Sequence, residues 1–309
     1  EDMNGAGEGD FGSCIFKKRN AQSYFAIQTF AAPIVQTQGT AQGFHFDNSN
    51  MKPIINNEGW KKAFELYKAT GKYGPPDELN MDIGDTRALF KAGRCGLIVE
   101  WGDPGTLQLD DDAKSIRGKM YAISAVGSTE VLDRATGKLV PVSAATAPYA
   151  VDGINYAPFA AFGGWAGAVN KGADAKTKAA AYAFLSYMNQ AAQSGVDVTI
   201  GATGYNPYRT SQLASTDLWV KAGMPKALAD NYLGAINGAI NNLNMASDMK
   251  IPGAQKYTSV VLDTELARYL AGEITVDEAL ANIEEGWEEV TEDFGRDEQV
   301  ASQALALGL

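Results

Sequence analysis

Short apolar runs alternate along this chain with stretches in which apolar residues recur every three or four positions, a mixture that predicts an α/β fold. Residues 57–70, NEGWKKAFELYKAT, read as a helix: Asn57 stands at the cap, Trp60, Phe64 and Tyr67 share one face, and Gly71 stops it ahead of Pro75 and Pro76. Asp174 is placed to cap an alanine-rich helix through Met188, whose apolar surface comes from Tyr182, Leu185 and Tyr187. Thr275 and Glu278 form a capping box before a segment in which Leu280, Ile283 and Trp287 keep helical spacing. Aromatic stripes at this spacing are read as core rather than cofactor contacts. Residues 127–158 are rich in turn formers, with Thr136 and Gly137 at a hairpin tip.

Composition narrows the class. With 309 residues, 45% hydrophobic and 20% charged, the chain is long enough for one large or two ordinary globular domains. Its net charge of -11 repels phosphate backbones and anionic lipid, so nucleic acid is not expected as a partner. No apolar run reaches the roughly 18 residues of a spanning helix. The opening EDMNGAGEGD has neither the basic nor the apolar region of a signal peptide, so for an exported protein any signal or anchor is expected outside this sequence.

The inventory of reactive side chains argues against catalysis. His45, flanked by Phe44 and Phe46, is the sole histidine, and the sequence contains no GxGxxG, GxxxxGK[ST] or HExxH pattern. Carboxylates are plentiful, but Asp110 to Asp112 and Glu284 with Glu285 read as solvated faces rather than a tuned acid pair. At the start of the chain, Asp2, Asn4 and Asp10 have the oxygen-rich spacing of a short calcium loop with permissive glycines. Ala6 stands where a further carboxylate belongs, and a flexible acidic terminus explains the same letters. Beyond calcium at that loop, no cofactor is expected.

Three segments carry a family resemblance: residues 87–103 (RALFKAGRCGLIVEWGD), 159–188 (FAAFGGWAGAVNKGADAKTKAAAYAFLSYM) and 274–290 (ITVDEALANIEEGWEEV). They resemble signature segments of the extracellular solute-binding proteins, the type II periplasmic-binding-protein fold that includes maltose-binding protein. The resemblance implies two lobes joined by crossing strands, with the first lobe incomplete in this chain, because about a third of the family's chain precedes the first of these segments. It implies an acidic loop at 1–10, the second lobe at 11–163 with 127–158 inserted, a crossing strand and partial first lobe at 164–211, a return to the second lobe at 212–290, and a tail or linker at 291–309. Apolar helix faces near Asp174 and Gln193 would then lie bare, at about 25 cal/mol per Å², unless the missing first-lobe segment covers them in cis or from another chain. In the resembled fold Cys14 and Cys95 stand in one lobe, as a disulfide or as two buried free thiols.

The resemblance also implies where a ligand would bind. Sugars present C–H faces that stack on aromatic rings and hydroxyls that need paired donors and acceptors. Glu100, Trp101 and Asp103 follow an apolar run at the expected carboxyl end of a strand, and Trp165 lies on the crossing segment. Asn206, Tyr208 and Arg209 occupy a loop, while Tyr24 and Gln28 begin a helix, both of which border the cleft in relatives. Each residue has ordinary packing or capping as its competing role. The implied function is extracytoplasmic binding of a small polar, carbohydrate-like solute by lobe closure, in the periplasm, outside the cell or at its surface. The partner would be a membrane permease, or the rest of a larger receptor chain whose ectodomain this is. A structural cell-surface module with a degenerate cleft is the third class.

Overall fold

The computed structural model describes residues 9–161 and 164–309, and these form two compact units, each built from discontinuous stretches of chain. The first contains the chain up to Glu100 together with Ser124–Ala161 and Gly238–Leu309. The second contains Trp101–Ile123 and Phe162–Asn237.

The first unit is organised around helix pairs and an aromatic core. The helix Ser23–Val35 packs on the helix Glu58–Thr70, with the rings of Phe30 and Tyr67 5.4 Å apart. Asn57 caps the latter by accepting from Gly59 N at 2.9 Å and Trp60 N at 3.1 Å, and Trp60, Phe64 and Tyr67 are wholly buried. Thr275 and Glu278 form the expected capping box of the helix Val276–Phe294, which buries Leu280, Ile283 and Trp287. Trp287 stacks among Phe46 and Tyr257, and its Nε1 donates to Tyr257 O at 2.8 Å. Each such buried large side chain contributes about 1.5 to 3 kcal/mol by leaving water. Asp263 joins distant parts of the unit, accepting from Asn20 N and Ser23 Oγ, each at 2.7 Å.

Four small two-stranded sheets complete the described structure. Phe11–Ser13 runs parallel to Cys95–Leu97, with Phe11 opposite Cys95, and Cys14 is joined to Cys95 by a disulfide with Cα atoms 5.8 Å apart. The strand at Cys95 is shorter and less enclosed than its apolar sequence suggests: it lasts three residues and Leu97 is exposed. Glu130–Asp133 pairs antiparallel with Lys138–Pro141, and Gly137, at φ 69°, closes the loop where the hairpin tip is expected. Gly127–Ser128 pairs with Asn155–Tyr156, and Phe159–Ala160 runs parallel to Ala246–Ser247.

The second unit has its own core: Val198, Trp219, Met224, Leu228, Tyr232 and Leu233, flanked by Leu109, Tyr205 and Ile236. This core corrects the expected map twice. Residues 101–123 and 212–237 belong to this unit, because Leu109 and the aromatic and aliphatic residues between 219 and 233 pack on Val198. The expected crossing strand begins at residues 162 and 163, which lie outside the described residues; its continuation at 164–170 forms no strand. There Gly164 has φ 96°, and Gly167 lies so close to Leu185 that an added Cβ would come within 2.3 Å of its Cδ2.

The helix Ala175–Met188 forms and is capped by Asp174, and it has no buried residue: Tyr182, Phe184 and Tyr187 are 70%, 62% and 52% exposed, the bare face described for a chain without the first-lobe segment. Its stripe is therefore not core among the described residues. Residues 291–309 are not a linker. After Gly295, at φ 85°, the helix Arg296–Leu307 buries Gln299 and Gln303, which reach Pro252 O at 2.8 Å and Asn48 Oδ1 at 3.3 Å.

Candidate functional site

Of the second-unit residues expected to bind a solute, Trp101 and Asp103 flank Gly102 and Asn206 lies against that glycine, at one corner. The chain turns at Gly102 into a 3-10 helix, Asp103–Leu109, which Pro104 starts with its fixed backbone angle. Gly102 packs closely: a Cβ there would lie 2.5 Å from Asn206 Oδ1 and 3.1 Å from Ile236 Cδ1, so a larger residue would displace the Asn206 amide. Gly105 does the same against Tyr232, whose ring atoms would be 2.2 Å from a Cβ. The short helix Gly201–Thr203 closes on the other side, with Gly201 against the backbone of Leu107. Trp101 and Asp103 thereby flank a closely packed turn, with the Asn206 side chain against it.

The electrostatics of this corner follow from its dryness. Asp103 is 3% exposed, and the carbonyl at its peptide accepts from Thr106 Oγ1 at 2.8 Å. Tyr232 lies beneath, its hydroxyl buried and without a hydrogen-bond partner among the described residues. Burial, and secondarily the nearby Asp103 charge, pushes that phenol far above its ordinary acidity range, so it stays protonated as a donor. Trp101 is partly buried, not enclosed in the core. An aromatic ring, a carboxylate and an amide at one turn form a set suited to polyol hydroxyls and C–H faces.

The other expected residues divide. Tyr208 is exposed, with the Arg209 guanidinium 5.5 Å from its ring centre. Arg209 holds structure: its Nε donates to Ser194 Oγ at 3.1 Å and an Nη to Asn189 O at the end of the Ala175–Met188 helix. Trp165 is 71% exposed. In the first unit, Gln28 is fully buried, its Nε2 donating to Tyr24 O at 2.8 Å and its Oε1 bonded to His45 Nε2, so it is a core residue rather than a solute contact. Glu100 is likewise occupied: its buried carboxylate accepts from Arg87 Nε at 2.8 Å and Nη2 at 2.5 Å. Tyr24 is half-buried beside Phe25, ring centres 4.3 Å apart. Gly105, Tyr232 and Ile236 were not singled out from sequence; the paired glycines of WGDPG were the available sign of close backbone approach.

His45 shows what burial does to a titrating group. Enclosed by Phe44, Phe46, Phe159 and Trp287, its imidazole is pushed down to about 3 by desolvation, so it is neutral at physiological pH. Of the calcium residues, Asp2 and Asn4 lie outside the described residues, and the buried Asp10 carboxylate accepts from Arg94 Nε at 3.0 Å.

No family model matches this chain. No curated protein matches it either. Solved structures do. An ABC transporter solute-binding protein from Agrobacterium vitis with bound D-mannitol is 18% identical, with TM-score 0.55, over 93% of this chain and 62% of its own. One from Agrobacterium radiobacter in complex with ribitol is 17% identical, with TM-score 0.61, over 91% and 60%. Maltose-bound MalE3 of T. maritima is 16% identical, also with TM-score 0.61, over 91% and 61%. The chain thus spans about three fifths of these proteins' length and has their α/β, type II periplasmic-binding-protein fold.

Proposed function

We propose that this chain binds a small neutral polyhydroxy solute, a sugar or polyol, without transforming it, and works outside the cytoplasm with a membrane permease. The observation that carries this is the shared fold with three solute-binding proteins whose structures hold D-mannitol, ribitol and maltose. The Trp101, Asp103 and Asn206 corner supports it, since a turn that carries an indole and a carboxylate, with an amide against it, has the groups that suit hydroxylated carbon chains. Placement of His45 in the core, among aromatic rings and bonded to Gln28, also favours binding over catalysis. Among the described residues no helix is long and apolar enough to cross a membrane. Hinge closure on the solute is part of the proposal, with ligand contacts supplying the differential affinity.

Native mass spectrometry of the protein as purified tests the ligand class. A neutral adduct with the mass of a pentitol, hexitol or oligosaccharide, displaced by added maltose or ribitol, is the expected result. An adduct of nucleotide or amino-acid mass that sugars fail to displace would refute the proposed class.

A further inference from the structure

A groove of about 460 Å³ is lined entirely by residues of the first unit, including Gln38, Gly39, Thr40, Tyr149, Asn242 and Leu243. Its volume falls within the range of small-molecule sites. None of the described residues lining it is charged. An ionic ligand would find no counter-charge on these walls, whereas a neutral one leaves no wall charge unpaired.

The groove has a fixed floor. Gly39 has φ 89°, and a Cβ there would meet the Tyr149 ring at 3.1 Å, so its backbone lies directly against that ring. Both ends of the Gly39 residue are held by fully buried amides: Asn244 Oδ1 accepts its N–H at 2.9 Å, and Gln36 Nε2 donates to its carbonyl at 2.5 Å. Asn244 Nδ2 also donates to Asn155 Oδ1 at 3.0 Å, and Asn155 Nδ2 to Pro33 O at 2.7 Å. Asn244 and Asn155 bond to each other and to backbone carbonyls, and Gln36 holds the Gly39 carbonyl, so buried hydrogen bonds tie down this floor.

The lining side chains retain hydrogen-bonding capacity above that floor. Gln38 gives its Nε2 to Thr146 O at 3.0 Å, which leaves its Oε1 as an acceptor. Asn242 gives its Oδ1 to Asn244 N at 2.8 Å, which leaves its Nδ2 as a donor. Tyr149, 42% exposed, offers a ring face and a hydroxyl, and Leu243 adds an apolar wall. We infer that this groove is a second carbohydrate site, in which Tyr149 stacks on the C–H face of a neutral sugar while Gln38 and Asn242 pair with adjacent hydroxyls. Amide acceptors and donors beside an aromatic face match that ligand, and the uncharged lining excludes sugar phosphates and acidic sugars.

The test uses the full chain and maltose as probe, with calorimetry and saturation-transfer NMR. Trp101→Ala removes the corner in the second unit, and the groove should still take up maltose in that background. Adding Tyr149→Ala should weaken the remaining binding by about tenfold or more, whereas Tyr149→Phe, which keeps the ring, should change it less than about threefold. Gln38→Leu with Asn242→Leu is the independent check and should abolish the residual saturation transfer. Loss of all maltose binding on Trp101→Ala alone, when the wild type binds, overturns the second site and leaves the first reading standing. Residual binding unmoved by both the Tyr149 and the double leucine variants also overturns it, as does preference for an acetylated dipeptide amide over maltose. A wild-type chain that binds none of maltose, D-mannitol and ribitol refutes both readings.

Discussion

Two helices of similar length, Glu58–Thr70 and Ala175–Met188, have the same local grammar and opposite fates. Each begins with a side-chain cap, Asn57 in one and Asp174 in the other, and each carries three large aromatic residues. In the first, Trp60, Phe64 and Tyr67 are fully buried against the Ser23–Val35 helix and neighbouring rings; in the second, Tyr182, Phe184 and Tyr187 face water. Capping and spacing determine that a helix forms and where it starts. Whether its aromatic stripe becomes core depends on what other chain packs on it, which no local pattern contains.

The sharpest way to break this contrast is a pair of truncations measured by urea unfolding. Trp60→Ala should cost about 3 to 5 kcal/mol through lost burial and a residual cavity, while Tyr182→Ala should fall within about 0.5 kcal/mol of wild type. Comparable losses for both would mean that the Ala175–Met188 face is covered in solution.

The disulfide sharpens the same comparison from the first unit. Cys14 and Cys95 enclose a sequence separation of 81 residues, so reduction should lower that unit's stability by about 2 to 5 kcal/mol. Unfolding followed by Trp60 burial should move to lower denaturant, whereas the signal of Trp219 in the second unit's core should not. Equal shifts of both signals would show that the units unfold together.

Acid should act through His45. The unfolded chain takes up a proton near the ordinary value of 6.5 that the folded chain refuses until about 3. Stability from this group is therefore complete above about pH 6.5 and falls as pH drops below it, by up to about 1.4 kcal/mol per pH unit. His45→Gln, which cannot titrate, should unfold with a shallower acid limb by that amount; an unchanged slope would place the imidazole in contact with water.

The caps set the smallest effects. Asn57→Ala should cost about 1 kcal/mol in global stability. Asp174→Ala, on a helix with no buried residue, should instead show as faster local amide exchange at 176 and 177, whose N–H groups Asp174 accepts, with little change in global unfolding. Slow exchange at those amides in the variant would contradict the bare-helix account.

What was readable in the sequence divides along the same line. The caps at Asn57, Asp174 and Thr275, the hairpin tip at Gly137 and the aromatic core faces near Trp60 and Trp287 are local and were legible. The boundary between Glu100 and Trp101 was not, because it divides one continuous EWGD run, and membership of a unit is decided by packing on distant Val198 and Trp219. Gln28 and Glu100 show a second limit. A polar side chain that serves a solute and one that holds His45 or Arg87 carry identical letters, and only burial separates them. The groove beside Tyr149 was missed because its lining comes from three remote segments, none with a recognisable spacing of its own.

The most direct test of solute binding is calorimetric titration of the intact chain with maltose, D-mannitol and ribitol, comparing wild type with folded Trp101→Ala. At least one of the three should bind the wild type, and the variant should lose about 1 to 3 kcal/mol from the tighter event, the contribution of a large aromatic ring at the contact. Wild-type binding left unchanged by loss of Trp101 would contradict the corner as the principal site, and absence of heat with all three solutes would contradict the account of the protein as a sugar or polyol binder.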